Sequence, residues 1–457
     1  MVFTLTLFLM ATVISSTVWA ESTMFTTPAT EERFQQKWRR YPEALNVTYQ
    51  IAAAGPIISL YVEKRQDAEA VWNRVYNTVS AMPGQRFEAA VAVEGNSNGG
   101  NGPTVSLNFL DNTGKRIEHT DMFLGNGATG RRQVKLWAQA PENTVSVQLS
   151  LLLHGFGEAH YSDISVKRLE DVGALPADAG VVLSVTNEKT TALTGIGYED
   201  DGWFYNQENA ARGVSETDIA LREARIEWMA PDYVRMFFWY NDWNPSLDAA
   251  TFTWDSDNMR SHYRTLDVYQ RLGTRVNICG VEWAVKDPWT NPERLARAIG
   301  ALLEHLIKEK GYSCIEDYTL TNEPDIFFAR SIERDAQSFE TFVKLHQCVH
   351  DEFKRRGLNL NIVGSDDGNN RTWFERCVSD DVYFELSDRF ASHFYFPLNV
   401  VPLANRIFAD RVALLSARTP VKAFIIGELG FADERMKPPA DNPLMREYAA
   451  FRAATLA

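Results

Sequence analysis

From about residue 45 to 170, apolar and polar positions alternate in short runs: RFEAAVAVEG (86–95), TVSLNFLD (104–111), RQVKLWAQAP (132–141), TVSVQLSLLL (144–153) and AHYSDISVKRL (159–169). Gly, Asn, Asp and Pro break the runs. A period of two between turn signals predicts half-buried strands, and a series of them predicts an antiparallel β-sandwich. Trp137 falls inside such a run, so core packing is its expected role. VGALPADAG (172–180), rich in Pro, Gly and Ala, reads as a linker. After it the period changes. Strand-like runs now appear at TALTGIGYE (191–199), YVRMFFWY (233–240), RVNICGVEW (275–283), DYTLTN (317–322), LNIVGSDD (360–367), RFASHFYF (389–396) and KAFIIGELGF (422–431). Helical patterns lie between them, such as 291–311 and 335–357, the second opening on Asp335 as a cap and stopping at Gly357. Strand–helix alternation predicts a parallel sheet. No glycine-rich dinucleotide fingerprint accompanies the strands, which favours a (β/α)8 TIM barrel over the doubly wound fold.

The ends of the chain carry their own expectations. Residues 2–20 are apolar and close on Val18 and Ala20, the pattern of a secretory signal (1–20) cut before Glu21, hence of a secreted or periplasmic protein. No Lys or Arg precedes the run, which keeps an uncleaved N-terminal anchor as the alternative. The sandwich is assigned to 21–175 and the barrel to 181–457. PLMREYAAFRAATLA (443–457) reads as the seventh helix, so the expected barrel lacks its last β/α unit in this chain.

Composition narrows the partners. A net charge of -14 argues against nucleic acid and against an anionic membrane, both of which reward clustered Lys and Arg. A neutral substrate is indifferent to it. The 12 Trp, 16 Tyr and 26 Phe exceed a minimal core's needs and suit a protein that stacks on sugars, although large cores use them too. Cys279, Cys314, Cys348 and Cys377 have no zinc spacing. Cys279 lies in an apolar strand run, where a buried free thiol is expected; disulfides among the others stay open.

Barrel enzymes carry their chemistry at the C-terminal ends of the strands. Here those ends hold Glu199 and Asp200, Glu282 and Trp283, Glu323, then Asp366 and Asp367, with Arg235 inside the second strand, His393 and Tyr395 on the sixth and Glu428 on the seventh. Strands four and seven face each other across such a barrel, so Glu323 and Glu428 can meet over its centre.

TNEP (321–324) together with IGELG (426–430) resembles clan A of the retaining glycoside hydrolases, which includes the family 5 cellulases and mannanases and the family 39 xylosidases. The N-terminal run is similar to the jelly-roll carbohydrate-binding modules of secreted glycosidases. The resemblance implies Glu323 as acid/base and Glu428 as nucleophile, with Asn322 bonding the sugar 2-hydroxyl. It implies Arg235 as the arginine that keeps the nucleophile ionised, and His393 and Tyr395 as polar partners of the substrate. No metal or organic cofactor is implied, and the partner is an oligo- or polysaccharide.

Blander readings stand beside these. His393 is equally a satisfied core histidine. Asp366 and Asp367 read as turn or cap residues. Trp239, Trp243, Trp283 and Trp289 lie where a sugar subsite needs a floor, yet packing explains each alone. Two rival functions use the same residues: a non-catalytic glycan-binding or adhesion protein on a degenerate barrel, and a transglycosylase.

Overall fold

The computed structural model describes residues 21–42, 46–63, 70–125, 127–169, 195–246, 250–281, 290–326, 338–397 and 400–431. The signal, linker and seventh-helix expectations (1–20, 172–180 and 443–457) lie outside these residues, as do Trp283 and Trp289. The chain forms two compact units, one built on antiparallel strands and one on parallel strands.

The antiparallel unit holds β1 (Glu21–Thr26), β2 (Arg39–Tyr41), β3 (Asn46–Ala52), β4 (Gly55–Val62), β5 (Trp72–Ser80), β6 (Arg86–Leu110), β7 (Arg116–Phe123), β8 (Gly127–Gln139) and β9 (Ser146–Leu169). They make one nine-stranded sheet. The separate runs read from the sequence at 86–95 and 104–111, and at 144–153 and 159–169, are here two continuous strands, β6 and β9, paired along their lengths. The sheet curls because these strands bend together. Their register shifts between Asn98 and Gly102. Gly99, Gly100 and Gly102 on one side and Gly155 and Gly157 on the other have positive φ. At Gly155 (φ 119°) a Cβ would stand 1.8 Å from the Gly99 carbonyl oxygen, so only glycine fits. Phe87 and Phe109 would be roughly 70 Å apart on a straight strand. Their rings meet at 6.0 Å, which means the strand folds over its own core. Trp137 is also buried but lies on the other face of the sheet, opposite Glu88, to which its indole N–H donates at 2.8 Å.

The parallel unit holds β10 (Gly197–Asp200), β11 (Tyr233–Trp239), β12 (Arg275–Val281), β13 (Ile315–Thr319), β14 (Asn361–Asp367), β15 (Arg389–Phe396) and β16 (Ala423–Phe431), seven strands in sequence order. Among the described residues no eighth strand joins this sheet. Alternation sorts the side chains of β11. Val234, Met236 and Phe238 point to the helices and join the main core, while Arg235, Phe237 and Trp239 line the barrel interior with Cys279 and Val281. Deep in the interior, Asp317 accepts from Tyr233 and Arg389 at 2.8 Å each and from Asn361 at 2.8 Å, tying four strands together.

The helices start and stop on local chemistry. Ser215 and Asp218 form a capping box for 216–229, and Gly273 in the left-handed region ends 257–272. Asn291 caps 292–304, which then widens into a π-turn over His305–Glu309 instead of continuing as the α-helix expected to 311. There His305 stacks on Trp254 at 4.4 Å and bonds Glu309 at 2.7 Å, interactions that the widened turn accommodates. No helix among the described residues is long and apolar enough to cross a membrane.

Candidate active site

The site is organised around Arg235, buried in the barrel interior at 3% exposure. Its Nη1 donates to Glu199 at 2.5 Å and to Glu428 at 2.9 Å. Its Nη2 donates to Asn322 and Asp366 at 2.7 Å each and lies 3.3 Å from the Cys279 sulfur. The guanidinium sits over the Phe237 ring at 4.7 Å. One planar fork thus gathers side chains from β10, β12, β14, β16 and the loop after β13. The first and seventh strands converge on it, so the sheet is nearly closed. Asn322 turns its carbonyl oxygen to the guanidinium, which leaves the NH2 end of the amide as its donor toward a ligand.

Glu323 answers why a strand ends in Asn-Glu-Pro. Its backbone is left-handed (φ 45°), a costly conformation for a side-chain-bearing residue and costlier still before proline. Two bonds hold it: its N–H donates to the Asp366 carbonyl at 3.1 Å, and its own carbonyl accepts from Ile326 at 2.9 Å. The strained corner turns the carboxyl toward His393, whose Nδ1 is 3.2 Å from Glu323 Oε1. Backbone strain of this kind, about 1–3 kcal/mol per residue, persists where the surroundings over-determine it.

A second corner places Asp366. Ser365 and Asp366 are both left-handed (φ 63° and 52°), and the β14–β15 register shifts between Ser365 and Asp367. This bulge re-aims Asp366 inward, between Arg235 and the Nε2 of His393 at 3.2 Å. Burial alone would raise the Asp366 pKa, but Arg235 and His393 hold it at about 2. Asp367 keeps the role expected of it, accepting from the Asn370 N–H at 2.7 Å and organising the turn. The turn-or-cap expectation is therefore corrected for Asp366 only.

His393 is fully enclosed. Burial disfavours its charge, yet Asp366 and Glu323 push its pKa up to about 10. It is an imidazolium, with Nδ1 also 3.4 Å from Glu428. Gly427, next to Glu428, makes room for it: a Cβ there would come within 2.9 Å of the imidazole. One donor atom each of Glu323, His393 and Glu428 lie within 4.8 Å of one another, a grouping that resembles a cation site. An imidazolium facing a carboxylate at each nitrogen has no lone pair for a metal, so this trio fits a metal poorly.

The Asp366–His393 pair yields a pH prediction. His393 gains affinity for its proton on folding, so its contribution is full below pH 6.5 and fades as pH rises through about 10. Asp366 loses affinity for its proton, so its contribution is full above 3.8 and fades as pH falls through about 2. Asp366→Asn should cost about 3–5 kcal/mol in urea unfolding near neutral pH. It should also lower the His393 titration, followed by NMR; an unchanged His393 titration would show that the pair does not set the charge.

Of the residues singled out in the sequence, Asn322, Arg235, Glu323, His393 and Glu428 meet at this one place. Among the described residues Tyr395 is not one of those bonding Arg235 or His393; it is 45% exposed and its ring lies against Gly430. Trp243 is a core residue, stacked on Trp254 at 6.2 Å. Trp239 packs on the interior cluster and tilts against Trp203 at 5.3 Å. Glu199 and Trp203 had no assigned role in the sequence. None of the four cysteines is in a disulfide, and Cys279 is fully buried.

No family model and no curated protein sequence matches the chain. Among solved structures it is similar to the CBM22-1–GH10 modules of a Clostridium thermocellum endo-1,4-beta-D-xylanase, at 12% identity and a TM-score of 0.38, over 94% of this chain and 87% of that one. It is also similar to a GH39 beta-xylosidase from Caulobacter crescentus, at 15% identity and TM-score 0.38, over 52% of this chain and 53% of that one. A glucosidase from Croceicoccus marinus gives 12% identity and TM-score 0.39, over 51% of this chain and 52% of that one. The chain thus spans about half the length of the last two. At these identities and scores, the likenesses assign no family.

Proposed function

We propose that the chain is a retaining glycoside hydrolase acting on a β-linked glycan, with Glu428 as nucleophile and Glu323 as acid/base. The observation that carries this reading is the closeness of the two carboxyls, with an oxygen of each inside the 4.8 Å grouping. Retaining enzymes set their carboxyls about 5–5.5 Å apart, whereas inverting ones leave about 6.5–9.5 Å for a water. Glu428 attacks the anomeric carbon as the glycosidic C–O bond breaks, and Glu323 gives its proton to the departing oxygen. Water then enters, Glu323 takes its proton, and the bond to Glu428 breaks with a second inversion. In this reading Arg235 fixes the attacking carboxylate and the Asn322 amide donates to the sugar 2-hydroxyl. Neither step requires a cofactor.

The curled N-terminal sheet is assigned a supporting role on polymeric substrate, by raising local concentration. Secretion follows from the leader-like residues 1–20 and belongs to the same proposal. The test is release of nitrophenol from aryl β-glycosides of xylose, glucose, mannose and galactose, alongside xylan, mannan, glucan and galactan. Turnover of at least one is expected. Binding without turnover across the whole panel would favour the non-catalytic reading.

A further inference from the structure

Glu199 ends the first strand of the barrel and plays no part in the two-step chemistry above. It stands against the nucleophile all the same. Its Oε2 accepts from Arg235 Nη1 at 2.5 Å, and the same nitrogen donates to Glu428 Oε1 at 2.9 Å. Two carboxyl oxygens thus converge on one guanidinium nitrogen, and a proton on one of the pair lets it donate to the other. The groups facing Glu199 are Arg235 from β11 and Glu428 from β16. Behind Arg235 stand Asp366 of β14 and Asn322, and behind Glu428 stands His393 of β15. Asp200, next on its own strand, is occupied by Arg222 and Tyr269.

We propose that Glu199 is a positioning residue for the nucleophile: as a carboxylic acid it donates its O–H to Glu428 and, with Arg235, fixes the plane of that carboxylate. The inference rests on the reading of Glu428 as nucleophile. Charge bookkeeping favours the neutral form. With Glu199 protonated, the cations Arg235 and His393 already face Asp366, Glu428 and the Glu323 carboxyl. Losing the proton adds a further anion beside Glu428 and makes Glu199 a rival for Nη1. Burial first, then the Glu428 charge and bond, raise the Glu199 pKa to about 7 against the pull of Arg235. The arrangement is therefore present below neutrality and lost as pH rises through about 7.

The test must keep Glu323 silent, because an acid/base residue also gives an alkaline fall. Covalent capture of the full-length protein by 2,4-dinitrophenyl 2-deoxy-2-fluoro-β-glycosides does this, since the leaving group departs without a proton. For the wild type, the capture rate should fall as pH rises through about 7 and level off about tenfold lower, near the rate of a variant with no donor. Glu199→Gln, whose amide N–H still donates, should lower capture about threefold at pH 6 and stay flat through about pH 8. Glu199→Ala, with no donor, should lower it about tenfold at pH 6. In protein labelled with 13C at glutamate carboxyls, one resonance should titrate near 7 and be missing from Glu199→Gln. The proposal is overturned if Glu199→Gln keeps the wild-type fall, or if that resonance persists in it. Absence of capture in the wild type at every pH removes the nucleophile reading and this role with it, while the resonance reports separately on the shared proton.

Discussion

Glu428→Ala is expected to lose turnover by a factor on the order of 10^5, the scale reached when a covalent nucleophile is deleted. The loss is chemical rather than structural, because Arg235 retains Glu199, Asn322 and Asp366 as partners. Azide, small enough for the vacated space, should restore cleavage of activated β-glycosides and yield an α-glycosyl azide by a single inversion. Glu323→Ala should behave differently. Substrates with good leaving groups should still form the glycosyl-enzyme, its breakdown should become slow, and azide should give the β-configured product after two inversions. Swapped configurations would reverse the two roles. Near-normal activity in both variants would remove this pair from the mechanism.

Arg235→Ala is expected to have the largest effect on stability. The residue makes its bonds from a buried position, and removing it leaves Asp366, Glu199 and Glu428 facing one another without their shared cation. Breaking a buried ion pair by deleting one partner costs about 3–5 kcal/mol. In a barrel of this size that lowers Tm by roughly 10 °C. Arg235→Lys should rescue little, since a single ammonium cannot reach acceptors set along two edges of a planar fork. The deficit carries a pH signature. Without the guanidinium the carboxylates take up protons more readily, so the gap in Tm between variant and wild type should narrow as pH falls below about 5. An equal gap at every pH from about 4 to 8 would mean that lost packing, not lost charge, is responsible.

The barrel strands were legible because parallel strands are buried on both faces and read as largely apolar runs, as in YVRMFFW (233–239). Counting those runs places Glu323 and Glu428 across the barrel from each other, a deduction from topology. What the pattern did not carry was backbone irregularity. Asp366 followed by Asp367 and Gly368 has the composition of a turn, and nothing in those letters announces two consecutive left-handed residues and a bulge that turns the first carboxylate inward. The partnership of Glu199 with Glu428 depends on closure of the sheet, which brings together residues from its two ends. Glycines misled in the opposite direction. GNSNGGNGP (95–103) has the composition of a loop between strands, and in the folded sheet it is the bend of one long strand, because the same glycines that permit a turn permit a sharp kink within a ladder.

The central claim is double displacement at Glu428, and the anomeric configuration of the first product tests it most directly. Hydrolysis of an activated β-glycoside by the wild-type protein, followed by proton NMR from the first minutes, should show the β-anomer of the free sugar appearing before mutarotation brings in the α-anomer. Initial release of the α-anomer would mean a single displacement by water, and would contradict a mechanism in which these two carboxyls work as nucleophile and acid/base.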